Sequence, residues 1–162
     1  MKLPRKLEAH PQLEALESLL CQGLRPLWEK GTIQVPSLSL SLPLEEALSN
    51  ALRFKHLERG IERIGQVLDI EKKGLLAVQA KQGSAPVNRV SRILLITNDG
   101  VERFYRACES TLLQHRDRVL CFYVDTDSAR MGLKLFGPEK PVKALLVSDK
   151  ESVSQVLLAL VK

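Results

Sequence analysis

Four carboxylates carry the sharpest chemical possibility in this sequence: Asp99, Asp125, Asp127 and Asp149, each just after a run that reads as a β-strand. In a parallel α/β sheet the carboxyl ends of the strands converge on a crevice. Clustered there, the four could hold one or two magnesium ions and hydrolyse a phosphodiester. A simpler role competes. Each position also precedes a predicted helix, where an Asp side chain accepts from the orphan N–H groups of the first turn. The metal reading further requires every strand to run parallel. Capping is therefore the preferred assignment, and no catalytic residue, metal or cofactor is expected.

The second candidate chemistry is electrostatic. Between Asn50 and Arg92 stand nine basic residues (Arg53, Lys55, Arg59, Arg63, Lys72, Lys73, Lys81, Arg89, Arg92) against four acids (Glu58, Glu62, Asp69, Glu71). That +5 equals the net charge of the whole chain, from 24 basic and 19 acidic residues, so everything outside the segment sums to zero. A localised basic excess is the footprint expected of phosphate-backbone contacts; its bland alternative is a solvated helix face plus a basic loop. Other chemistry is thinner. His10, His56 and His115 lie in polar helical surroundings without metal spacing and read as surface residues. Cys21, Cys108 and Cys121 are odd in number, widely spaced and set in apolar patterns, which fits reduced core thiols. Neither a P-loop, a glycine-rich dinucleotide turn nor a nucleophile elbow is found, so nucleotide-dependent catalysis has no support.

The elements that must position these residues centre on Arg92–Ser148. Ile93–Thr97, Val119–Val124 and Val142–Val147 are nearly continuous β-branched and aliphatic runs bounded by polar, Gly or Pro residues, and such runs imply strands covered on both faces. A helix bounded by Asn98 and Asp99 carries Val101, Phe104, Tyr105, Cys108 and Leu112 on one face. Asp127 can cap a second helix that Gly137 follows and Pro138 stops. A third opens with the capping box Ser148-Asp149-Lys150-Glu151 and carries Val153, Val156, Leu157 and Leu160.

Toward the N-terminus, Pro11 opens a predicted helix bearing Leu13, Leu16, Leu19, Leu20, Leu24 and Leu27, with Gly23 and Pro26 breaking it late. Leu38, Leu40 and Leu42 alternate with serines as a half-buried strand requires. From Leu44 to Leu68 the pattern is helical, one kinked helix or two. GLLAVQA at 74–80 reads as a strand and 81–91 as a loop. The expected architecture is a three-layer α/β/α sandwich with a small mixed sheet: an N-terminal helix-and-strand extension over 1–43 and the sandwich over 44–162. With 162 residues, 44% hydrophobic and 27% charged, the chain can bury a real core. No apolar run reaches the roughly 20 residues of a membrane span and the first residues lack a signal-peptide core, so a soluble, intracellular protein is expected.

The run from Ala129 to Lys150, ARMGLKLFGPEKPVKALLVSDK, resembles the kink-turn-binding ribosomal protein (L-seven-Ae) superfamily. That family's pattern here is a helix containing Leu-Gly and closed by Gly, then a basic-Pro-Val step into the last strand. Met131-Gly132 stands where Leu-Gly is usual, Gly137 closes the helix and Lys140-Pro141-Val142 matches the basic-Pro-Val step; the resemblance covers about residues 92–162. It implies RNA contact through the loop before the last strand, with Lys140 near phosphate and Val142 on a flipped-out base. The family's other RNA-binding element is a Gly-Asn-Glu step opening a helix that ends before the first of these strands. Its nearest match is Val87–Arg92, where Asn88 is kept, Arg89 replaces the acid, Pro86 replaces the Gly and Arg92 runs straight into the strand. The resulting expectation is a non-enzymatic RNA-binding subunit of a ribonucleoprotein, such as RNase P/MRP or a ribosome-associated particle. Its surface would comprise Lys140, Pro141, Val142, Lys72, Lys73, Lys81, Asn88, Arg89 and Arg92, with other protein subunits docking through residues 11–42. A magnesium-dependent nuclease built on the four aspartates, and a scaffold touching little RNA, are the alternatives.

Overall fold

The computed structural model describes residues 1–83, 85 and 88–162. The chain folds as a mixed α/β protein, consistent with the three-layer α/β/α expectation. After a 3-10 turn at Arg5–Leu7 come α1 (Leu13–Leu20), β1 (Leu24–Pro26), β2 (Gln34–Leu38), α2 (Leu42–Arg53), β3 (Leu57–Arg59) and α3 (Ile61–Gln82). Then follow β4 (Arg92–Ile96), α4 (Glu102–Gln114), β5 (Val119–Val124), α5 (Ser128–Phe136), β6 (Ala144–Val147) and α6 (Lys150–Ala159).

Strand order is β1-β2-β5-β4-β6-β3. β2, β5 and β4 run parallel, whereas β6 is antiparallel to both β4 and β3. The continuous apolar strands have a direct consequence: alternate residues enter two different cores. Ile93, Leu95, Phe122, Val124, Leu145 and Val147 face a core shared with Leu7, Leu16, Leu44, Leu48, Met131 and Val156. Leu94, Ile96, Cys121, Tyr123 and Leu146 face a second core containing Ile64, Leu68, Tyr105, Cys108 and Leu112. At roughly 1.5–3 kcal/mol for each large apolar side chain, these two cores dominate folding.

The N-terminal elements are built into the sandwich. β2 adds a parallel strand beside β5, Leu38 joins the first core, and the dividing point at residue 43 lies inside α2. Glu109, a buried carboxylate on α4, fastens the segment between β1 and β2. It accepts from Trp28 Nε1, from the Thr32 N–H at 2.7 Å, from the Ile33 N–H at 2.9 Å and from Thr32 Oγ1 at 3.2 Å.

Several local expectations are corrected. The helix opened by Pro11 stops at Leu20; Gly23 takes a left-handed φ of 58° and the chain turns into β1, so Leu24 and Leu27 are not on it. β2 ends at Leu38, and Leu42 belongs to α2, which Ser41 caps by accepting from the Leu44 N–H. The stretch 44–68 is two helices parted by β3. Residues 74–80 are helical within α3, because Ala, Leu, Gln and Lys propagate a helix already nucleated at Ile61 and, among the described residues, no strand pairs with them. The cap of α6 is Asp149, accepting from the Ser152 N–H at 3.0 Å, one residue later than the capping box puts it. His115 is buried and Cys21 exposed, the reverse of their expected settings.

Candidate nucleic-acid interface

The direction of β6 decides which candidate residues can meet. Because β6 is antiparallel to β4 and β3 antiparallel to β6, the carboxyl ends of β3, β4 and β5 and the start of β6 share one end of the sheet. Asp99, Asp125 and Asp127 lie at that end, and Asp149 follows β6 at the opposite end. The four-carboxylate cluster is therefore divided. Each carboxylate also has a structural partner, but only Asp127 and Asp149 cap the helices they precede; α4 opens at Val101 with no side-chain cap. Asp127 accepts from the Arg130 N–H at 2.7 Å, and Asp125 accepts from Asn98 Nδ2 at 3.0 Å. Asp149 caps α6 and lies 3.5 Å from His56 Nδ1. Asp99 accepts from Thr97 Oγ1 at 2.8 Å and from Ser128 through both its N–H at 3.0 Å and its hydroxyl at 2.6 Å. Burial raises the Asp99 pKa, but the Ser128 and Thr97 hydrogen bonds outweigh it and hold the carboxyl below the ordinary aspartate value. Replacing Asp99 with alanine is expected to cost about 1–2 kcal/mol through its lost hydrogen bonds to Thr97 and Ser128, read by urea denaturation.

Lys140, Pro141 and Val142 stand on the loop between α5 and β6, and Gly132 explains how that loop is held. A Cβ on Gly132 would stand 1.8 Å from the Lys140 carbonyl oxygen, so only glycine lets the loop lie against α5. The Val142 N–H donates to the Ser128 carbonyl at 3.0 Å, and Thr97 N–H donates to the Lys143 carbonyl at 2.9 Å. Two residues of the loop sit at positive φ, Gly137 at 100° and Glu139 at 60°. The second is a side-chain-bearing residue in a sparsely populated region, held there at a cost of about 1–3 kcal/mol by its surroundings. Lys140, Pro141 and Lys143 are exposed, whereas Val142 is 4% exposed and packs into the first core. Val142 supports the loop from beneath, and its outer face belongs to Lys140 and Pro141.

Beside this loop lies an element that sequence reasoning missed. The Gly60 N–H donates to the Ala144 carbonyl at 3.0 Å, and α3 opens immediately after Gly60, which has a φ of 84° and provides no side-chain cap. This strand-glycine-helix step spans Arg59-Gly60-Ile61-Glu62-Arg63. It was hidden because β3 has three residues and Leu57, Ile61 and Ile64 continue a helical spacing through it. Uncapped N–H groups and the helix dipole favour an anion there. Arg59 and Arg63 flank the step: the Arg59 guanidinium lies 4.4 Å over the Phe136 ring at the end of α5, and Arg63 is 3.5 Å from Glu58 and largely exposed.

The remaining candidates lie elsewhere. Arg89 and Arg92 are at the start of β4, the far end of that strand from Lys140. Arg89 donates to the Leu3 carbonyl at 2.5 Å and to Glu8 at 2.6 Å. Arg92 is fastened to Glu71, which also lies 3.5 Å from Arg118. Both guanidiniums tie the fold together. Asn88 is exposed and its carbonyl accepts from the Lys2 N–H at 3.0 Å, while Pro86 and Val87 fall outside the described residues. Lys72, Lys73 and Lys81 are carried on the distal half of α3.

A scan against protein-family models finds no match, and a search of curated proteins finds none. Among solved structures, the chain is similar to a protein of unknown function from Bacillus halodurans, with a TM-score of 0.51 and 11% identity over 75% of this chain and 98% of that one. It is also similar to the 15.5 kD RNA-binding protein of Giardia lamblia, with a TM-score of 0.47 and 15% identity over 75% of this chain and 84% of the other. The first of these likenesses shows a shared fold.

Proposed function

We propose that this chain is a non-catalytic RNA-binding protein and a component of a ribonucleoprotein, of the kind that RNase P/MRP subunits and ribosome-associated proteins exemplify. It takes structured RNA at the sheet end that bears Lys140. One observation carries the reading: the loop locked by Gly132 presents Lys140 and Pro141 beside the uncapped start of α3, with Arg59, Arg63 and Lys143 at the same end. Four cations and a helix N-terminus answer a phosphate backbone, and the rigid loop edge offers a platform for an unpaired base. Bent or internally looped RNA suits such a platform better than a regular duplex, whose bases are stacked away.

Lys140→Ala combined with Arg63→Ala is the test, since both side chains are exposed and the fold does not depend on them. The slope of log affinity against log salt should flatten by about one to two units. An unchanged slope would contradict the reading. Arg89→Ala is the matched control; it should lower stability through its lost tie to Glu8 and Leu3 and leave the slope alone.

A further inference from the structure

The distal half of α3 leaves the body of the protein. Leu68 is its last buried residue, and the Lys72 ammonium donates to the Gln114 carbonyl at 2.9 Å. A Cβ added at Gly74 or Gly83 would meet nothing within 4 Å. Along this arm Ile70, Leu75, Leu76 and Val78 are 67%, 45%, 54% and 50% exposed. Four exposed aliphatic side chains within nine residues of one helix suit a binding surface. The root of the arm is clamped: Glu71 holds Arg92 and lies near Arg118, and His115 Nε2 is 3.0 Å from Asp69. Its direction is thus fixed before any partner arrives, which lowers the entropic cost of docking.

Charge narrows the partner. From residue 70 to 82 the arm carries Lys72, Lys73 and Lys81 against one acid, Glu71, which Arg92 already pairs. We propose that residues 70–82 are a docking arm that seats in an apolar groove with an acidic rim on a partner protein. RNA would answer the lysines but leave the aliphatic side chains in water. A second copy would oppose lysine to lysine. A flat lipid surface needs its apolar residues on one side, whereas Leu76 and Val78 project about 160° apart around the helix, as the walls of a groove require. The contact is small, so binding should be reversible and in the micromolar range. It is independent of the RNA reading, because the arm's tip lies about 30 Å along α3 from Gly60.

The test uses the full chain and a synthetic helical hairpin with a leucine-lined groove and glutamates on its rim, beside the same hairpin with lysines there, read by fluorescence anisotropy. The acidic hairpin should bind at micromolar concentration and the lysine hairpin at least about tenfold more weakly. Leu76→Glu with Val78→Glu, folded by circular dichroism and unchanged in RNA affinity, should weaken the acidic hairpin by about tenfold or more. Equal binding of the two hairpins, binding of neither, or indifference to the double substitution would overturn the proposal. Loss of RNA binding in the double variant would give the arm to RNA instead, and a concentration-dependent dimer abolished by the variant would give it to a second copy.

Discussion

Gly132→Ala should be strongly disruptive although it adds a single methyl group. The added methyl would meet the Lys140 carbonyl at 1.8 Å, and the Pro141 Cα at 2.9 Å, and these are backbone atoms that no rotamer change can move. Either α5 or the loop must shift, and overpacking of this kind costs about 2–3 kcal/mol. Urea denaturation should show the loss as a lower midpoint with an unchanged slope. Since the loop displaced is the one presenting Lys140, RNA affinity should fall by about tenfold as well. Gly74→Ala provides the contrast: it lies within α3 facing open space, so the substitution should stabilise the helix by about 1 kcal/mol.

Glu109→Ala should be comparably damaging for a different reason. The buried carboxylate receives Trp28 Nε1 and the backbone N–H groups of Thr32 and Ile33, and alanine strands all three. With charge-assisted bonds lost and part-buried donors left to find water, about 2–3 kcal/mol should disappear. Trp28 is the single tryptophan, so its fluorescence reports the release of this segment directly. Acid should mimic the substitution. Burial pushes the Glu109 pKa up, but hydrogen bonds from Ile33, Trp28 and Thr32 outweigh it and leave the folded-state value below the ordinary one. A carboxyl depressed on folding contributes stability that is complete above its unfolded pKa and lost as pH falls through the folded value. The gap between wild type and Glu109→Ala should therefore be widest at neutral pH and close as the pH drops through the carboxylate range.

The parts of this fold that could be read from sequence are those encoded locally. Ile93–Thr97 and Val119–Val124 announce covered strands by composition alone, and Asp127 and Gly137 mark both ends of α5. What could not be read depends on neighbours distant in sequence. Leu75-Leu76-Ala77-Val78 looks like a strand because, among the described residues, nothing packs on it to impose a helical stripe. His115 and Arg118 are polar residues in a polar-looking stretch, buried because Asp69 and Glu71 on α3 meet them. Strand direction is the largest gap. No residue near Val142–Val147 encodes that β6 runs antiparallel to β4, yet that single fact parts Asp149 from Asp99 and places Arg89 and Arg92 away from Lys140. It also brings the start of α3 to the loop.

The proposed role of that end of the sheet is RNA recognition. Its most direct test is the affinity of the purified chain for an internally looped, bent RNA, a regular RNA duplex and a DNA duplex of equal length, at two salt concentrations with magnesium present. Tightest binding to the looped RNA, a steep salt dependence and every substrate left intact are expected. Equal, weak binding to all three, or magnesium-dependent cleavage of any, would contradict it.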